Sequence, residues 1–259
     1  MTALKSPRPD ASVSNLLDAA TLLFRATLLK CLPFAMLGVL CLEIPNFYWL
    51  AGGHTLSLGM PTDARYWLLA FAASAVALFI VSAMMLRQRA FASGAAVDSR
   101  AELAAAARRL PGILLGWVLA QLSLLPGILL GVLLMRLSVY VGITLLILTG
   151  TFLLVCYLVL LPVLLFENLN PYAALVRCVR LMQPHWWKVL ATIVIAVLVL
   201  LICTLAAAAV LSILAALLVG QGPAVQAIVA AVTVGIWAIG CVFFSALALT
   251  LHSAASSSA

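Results

Sequence analysis

Charge is what this chain has least of. Of 259 residues only 14 are Lys or Arg and seven are Asp or Glu, 8% in all, against roughly 25% in an ordinary soluble domain. Seven carboxylates scattered along the chain exclude the multi-carboxylate metal centre that phosphodiester or nuclease chemistry needs. The three histidines, His54, His185 and His252, fall on different sides of the expected topology and cannot assemble one metal site. HExxH, GxSxG, a P-loop and a GxGxxG in strand context are all absent, so no catalytic residue is named, and neither a cofactor nor a metal is expected. The six cysteines, Cys31, Cys41, Cys156, Cys178, Cys203 and Cys241, contain no CxxC pair. They read as small apolar packing residues kept reduced. No secretory leader is expected, because the first ten residues are polar and no small-residue cleavage site follows an apolar core.

Apolar residues fill the space that charge leaves. They make up 66% of the chain, and the mean hydropathy is +1.27. A crossing takes about 20 apolar residues, and six fit: about residues 31–50, 66–86, 111–135, 139–166, 187–219 and 224–251. The expected fold is an all-α integral membrane protein, one membrane domain over residues 1–259. The fifth run is longer than one crossing needs, so a tilt or a break near 206–209 stays open.

Three basic amphipathic segments precede pairs of spans, and each is expected to lie at the interface as a helix. Residues 12–30 repeat Val13, Leu16, Leu17, Ala20, Leu23 and Phe24 along one face. Residues 98–110 open on Ser99 and Glu102, a capping-box spacing. Residues 170–183 open on Asn170 and Pro171 and end at Pro184. A pseudo-threefold repeat is the hypothesis this suggests. Residues 1–11 form a polar tail.

Twelve of the 14 Lys and Arg fall on one side: Lys5, Arg8, Arg25, Lys30, Arg87, Arg89, Arg100, Arg108, Arg109, Arg177, Arg180 and Lys188. Arg65 and Arg136 alone are opposite. The positive-inside rule then puts both termini in the cytoplasm. The net charge of +7 has no basic domain outside the apolar runs, so nucleic acid is not the expected partner. Anionic lipid headgroups are.

Four sets of residues stand out. Arg177, Arg180, His185, Trp186, Trp187 and Lys188 combine cations with indole rings as membrane interfaces do, and form a candidate anionic-lipid or partner surface. Glu43 is the one carboxylate well inside a span; with Arg136 it forms either a boundary ion pair or a proton or substrate site. Glu167, beside Asn168 and Asn170 and within reach of Arg177 or Arg180, is expected to anchor the third amphipathic helix. Finally, PGILLG occurs twice in span three, and Gly112, Gly116, Ala120, Ser123, Gly127 and Gly131 make one small-residue stripe. Such a stripe lets helices approach closely, within the bundle or at a homo-oligomer seam. Pro126 is expected to kink that span.

The run Leu161-Pro162-Val163 to Glu167, then Asn170-Pro171, Ala174-Leu175, Arg177, Arg180-Leu181 and Trp186-Trp187-Lys188-Val189-Leu190, resembles a bacterial multi-span inner-membrane family. That family includes the membrane domain found with some glycerophosphoryl diester phosphodiesterases and the YciC-like uncharacterised proteins. Leu124-Leu125-Pro126-Gly127-Ile128 is similar to its Pro-Gly turn. The chain departs from it at Cys178, where the family often has Ser, and carries no soluble phosphodiesterase domain. The resemblance therefore implies an inner-membrane protein near lipid or envelope homeostasis rather than a hydrolase. The expected function is a non-enzymatic scaffold or lipid-interacting accessory subunit of the bacterial cytoplasmic membrane. A small transporter using Glu43 and Arg136, or the membrane subunit of an enzyme whose catalytic domain is another chain, are the alternatives.

Overall fold

The computed structural model describes residues 12–52, 63–95, 98–219 and 223–256, of which 212, 215–219 and 223–230 are described by backbone alone. The expected tail 1–11, most of the turn-rich loop after the first span with His54, and the last three residues lie outside the described residues. Among the described residues the chain is helical throughout, and six helical stretches are long and apolar enough to cross a membrane. Six such helices fit a multi-pass membrane protein.

Helix α1 spans Val13–Ala51 and starts where the Ser12 hydroxyl accepts from the Asn15 amide at 3.3 Å. The amphipathic segment and the first span are thus one helix of 39 residues. At 1.5 Å per residue it is about 58 Å long, more than the roughly 40–45 Å of a bilayer with its headgroups. Helix α2 covers Ala64–Ala92 and α3 covers Ser99–Met135. Here too the amphipathic segment runs straight into the span, and α3 passes unbroken through Pro111 and Pro126. The capping-box expectation is corrected: Asp98 caps α3 by accepting from the Arg100 amide at 3.0 Å, and Glu102 is spent elsewhere. The commonly favoured aspartate cap lies one residue earlier.

The fourth span is two helices, α4 (Val139–Tyr157) and α5 (Leu160–Phe166). Pro162 accounts for the interruption: it has no amide proton, and its ring crowds the carbonyl four residues back, that of Leu158. Helix α6 (Pro171–Met182) follows a sharp turn at Asn168, whose φ of 51° lies in the left-handed region that Asn tolerates better than most residues. Asn170 takes the N-cap position, with its carbonyl accepting from Ala174 at 2.8 Å, but its side chain makes no capping bond. A single 3-10 turn (Gln183–His185) joins α6 to α7 (Trp186–Val219), which is continuous through 206–209, so that span is not broken. Helix α8 covers Pro223–Ser256. Only the third amphipathic segment is a separate helix, so the three expected units are not alike.

Helix α1 packs chiefly on α2 and α8, α3 on α4 and α2, and α7 on α8, with α5 and α6 seated on α3. The main core joins Leu23, Met85, Ile113, Val163, Leu165, Cys178, Met182 and Leu247. A second cluster joins Cys31, Ala35 and Val39 to Met84 and Val242. Large apolar side chains such as Leu29, Tyr140 and Ile202 remain on the outside, as a bilayer solvent requires.

Candidate functional site

Polar side chains concentrate at one end of the bundle, where α2 and α8 finish and α3, α6 and α7 begin. Arg87, near the end of α2, is almost fully buried and so is Glu102 of α3. The Arg87 Nε donates to Glu102 Oε2 at 2.9 Å, Nη1 to the Lys30 carbonyl at 3.0 Å and Nη2 to Ser99 Oγ at 2.6 Å. Its guanidinium also stands 4.4 Å from the centre of the Phe34 ring. A buried charge is tolerated when it is paired and hydrogen-bonded, and Arg87 is held so by groups of α1 and α3, although Glu102 Oε1 is buried without a hydrogen-bond partner. Beside it the wholly buried Gln88 donates from Nε2 to the Val242 carbonyl at 3.0 Å, joining α2 to α8.

A second knot closes the exposed end of α5. Glu167 accepts from Arg177 Nε at 3.3 Å and meets His252 Nε2 at 2.9 Å, so one carboxylate links the α5 end to α6 and α8. Arg109 of α3 donates to the Leu164 carbonyl at 3.3 Å. The guanidinium of Arg89, from α2, lies 3.9 Å over the Phe166 ring. Cations gathered at a helix C-terminus match its partial negative charge.

Below α5 a cavity of about 560 Å³ opens between α2, α3, α4, α5 and α8, lined by Met85, Ile113, Ala120, Gly150, Tyr157 and Ala248 among mostly apolar neighbours. Two of its polar groups are engaged, while Trp117 and Gln121 also line it. Tyr157 and Ser123 share a hydroxyl–hydroxyl bond of 2.9 Å, and Ser245 donates to the Val242 carbonyl at 2.9 Å.

The residues singled out from the sequence divide as follows. On α6, Ala174, Leu175, Cys178, Leu181 and Met182 are buried, while Arg180 is exposed. Trp187 is 77% exposed and Lys188 exposed beside it. Neither Arg180 nor Lys188 enters an ion pair among the described residues. His185 is half-buried, and Trp186 lies stacked on Phe152 with ring centres 6.4 Å apart and edge-to-face with Trp187 at 4.7 Å. Glu43 accepts from Asn46 Nδ2 at 2.9 Å, Tyr66 Oη donates to Asn46 Oδ1 at 3.3 Å, and no ion pair joins Glu43 to Arg136 among the described residues. Neither residue lines the cavity.

The small-residue stripe meets its neighbours within the chain. A Cβ at Gly116 would fall 2.7 Å from Leu164 Cδ1, and one at Gly131 would lie 2.6 Å from Leu146 Cδ2. At Gly127 it would collide with Thr149. Ala120 is buried, Ser123 holds Tyr157, and only Gly112 has open space beside it. The six cysteines are free, and among the described residues no group of three His, Cys, Asp or Glu could hold a metal.

The sequence reading took Arg87, Arg89 and Arg109 only as topology markers and Glu102 only as a cap. Nothing local in the sequence marks the Arg87–Glu102 pair, since Glu43 and Asp98, equally scarce carboxylates, enter no ion pair among the described residues. His252 gave no signal at all, since 85 residues separate it from Glu167. Comparison with known proteins finds no matching family model, no similar curated protein and no similar solved structure.

Proposed function

We propose that this chain is a non-enzymatic, multi-pass protein of the bacterial cytoplasmic membrane, with both termini in the cytoplasm. It acts as a scaffold or lipid-interacting accessory subunit whose α6–α7 corner engages anionic headgroups. One observation carries this reading: α6 spends its apolar face on the core and leaves Arg180 exposed, and α7 opens on exposed Trp187 and Lys188, with neither cation in an ion pair among the described residues. An exposed indole flanked by unpaired cations suits a headgroup layer, where each basic residue contributes about 1 kcal/mol of attraction to anionic lipid. The transport reading has less support, because the cavity is apolar and includes neither Glu43 nor Arg136.

The test is native mass spectrometry of detergent-released protein. Wild type is expected to retain anionic phospholipid, and Arg180→Gln/Lys188→Gln to retain clearly less at the same collision energy. Equal retention by the two proteins would overturn the headgroup role.

A further inference from the structure

The lipid-interacting reading does not say where on the molecule a lipid is held most tightly. We propose that the cavity below α5 takes one acyl chain of an anionic glycerophospholipid from the surrounding bilayer, with its phosphate at Arg89 and Arg109. The proposal rests on that reading but uses residues away from the α6–α7 corner.

Three observations point the same way. The cavity has the roughly 300–1,000 Å³ size of ligand sites, at about 560 Å³, and its walls are mostly apolar. At such a depth the available solvent is hydrocarbon, and apolar cavities do not hold water well. The second observation is one of register. Met85, Ile113 and Ala248 line the cavity, and Arg89, Arg109 and His252 stand four residues away on the same three helices, one turn toward the polar end.

The third observation is where those three heads go. They converge on the last turn of α5, Arg109 on the Leu164 carbonyl, Arg89 on the Phe166 ring and His252 on Glu167. Glu167 is shared by Arg177 and His252, so Arg89 and Arg109 meet no carboxylate there. Two guanidiniums without a counter-anion, one turn beyond an apolar cavity, have the layout of a phospholipid: a phosphate followed by a chain. Arg is suited to the phosphate through its planar fork of donors.

Gly150 gives the test. It lines the cavity, and a Cβ there meets no atom within 4 Å, so a side chain can be started there without displacing a neighbour, and leucine improves helix propensity over glycine. The probe is palmitoyl-oleoyl phosphatidylglycerol titrated into micelles of the full chain, with bound lipid counted by native mass spectrometry and folding followed by thermal unfolding. Gly150→Leu is expected to keep its unfolding temperature and bind the tightest lipid about tenfold more weakly or worse. Gly150→Ala, which leaves most of the cavity open, is expected to bind as wild type does. Arg89→Gln/Arg109→Gln is expected to lose roughly tenfold in preference for phosphatidylglycerol over phosphatidylcholine. If Gly150→Leu binds phosphatidylglycerol as tightly as wild type, the cavity proposal falls. In that case a loss confined to Arg180→Gln/Lys188→Gln leaves the headgroup reading standing, whereas a wild type that binds no phosphatidylglycerol overturns both.

Discussion

The two ends of the bundle are held in different ways. At the end carrying Arg87 and Glu167, two ion pairs, the Glu167–His252 hydrogen bond, the Arg87 bond to the Lys30 carbonyl and a buried glutamine bind α1, α2, α3, α6 and α8 to one another and to the end of α5. At the opposite end the contacts among the described residues include the hydrogen bonds of Glu43 with Asn46, of Asn46 with Tyr66, and of Tyr48 donating to Asp63 at 3.0 Å. The close approach of α3 to α4 there depends on glycines instead, Gly131 facing Leu146 and Gly142 facing Met135. The difference teaches that one end is tied across helices by buried and half-buried charged side chains, while at the other the close approach of α3 to α4 rests on the small size of glycine.

The largest effect should come from breaking the buried pair. Arg87→Leu leaves Glu102 charged and uncompensated, a loss of about 3–5 kcal/mol, and thermal unfolding in detergent would report it. Arg87→Leu/Glu102→Leu should recover most of that loss; failure to recover would mean that the bonds to Lys30 and Ser99 matter more than the charge. Next is the far end. Gly131→Leu puts a branched side chain against Leu146, with Gly142's carbonyl 3.4 Å from its Cβ, an overpacking cost of about 1–3 kcal/mol. A neutral result would show that α3 and α4 are not tightly apposed in the membrane.

Smaller changes sharpen the contrast. Glu167→Gln removes a partly exposed pair with Arg177 and the charge facing His252, about 1 kcal/mol, and proteolysis at the turn between α5 and α6 should become faster. Least of all, Glu43→Gln keeps an acceptor for Asn46 and should shift stability by less than about 0.5 kcal/mol. A large loss on that change alone would return attention to the far end.

Much of the helical layout was legible, because each crossing needs a run of apolar residues that nothing else in a chain this poor in charge explains. What local sequence missed were continuity and interruption. Residues 12–30 and 98–110 differ from their spans in polarity, yet no residue stops the helix at Lys30 or Leu110, so α1 and α3 run on. Pro162 interrupts span four while Pro111 and Pro126 do not interrupt α3, a difference no window of sequence contains. The exposure of Arg180, Trp187 and Lys188 was legible, because charged tips at the edge of an apolar run stay out of the core. Arg89, Arg109 and His252 were not, because their shared position depends on three helices finishing beside α5.

The most direct test of a lipid-facing basic end is the unfolding temperature in nanodiscs of phosphatidylglycerol against nanodiscs of phosphatidylcholine. A ligand that binds the folded state raises that temperature. Wild type and Glu43→Gln/Arg136→Gln should show the same rise in phosphatidylglycerol, and Arg180→Gln/Lys188→Gln a smaller one. A rise that survives in Arg180→Gln/Lys188→Gln but vanishes in Glu43→Gln/Arg136→Gln would contradict a lipid-facing role for the basic end.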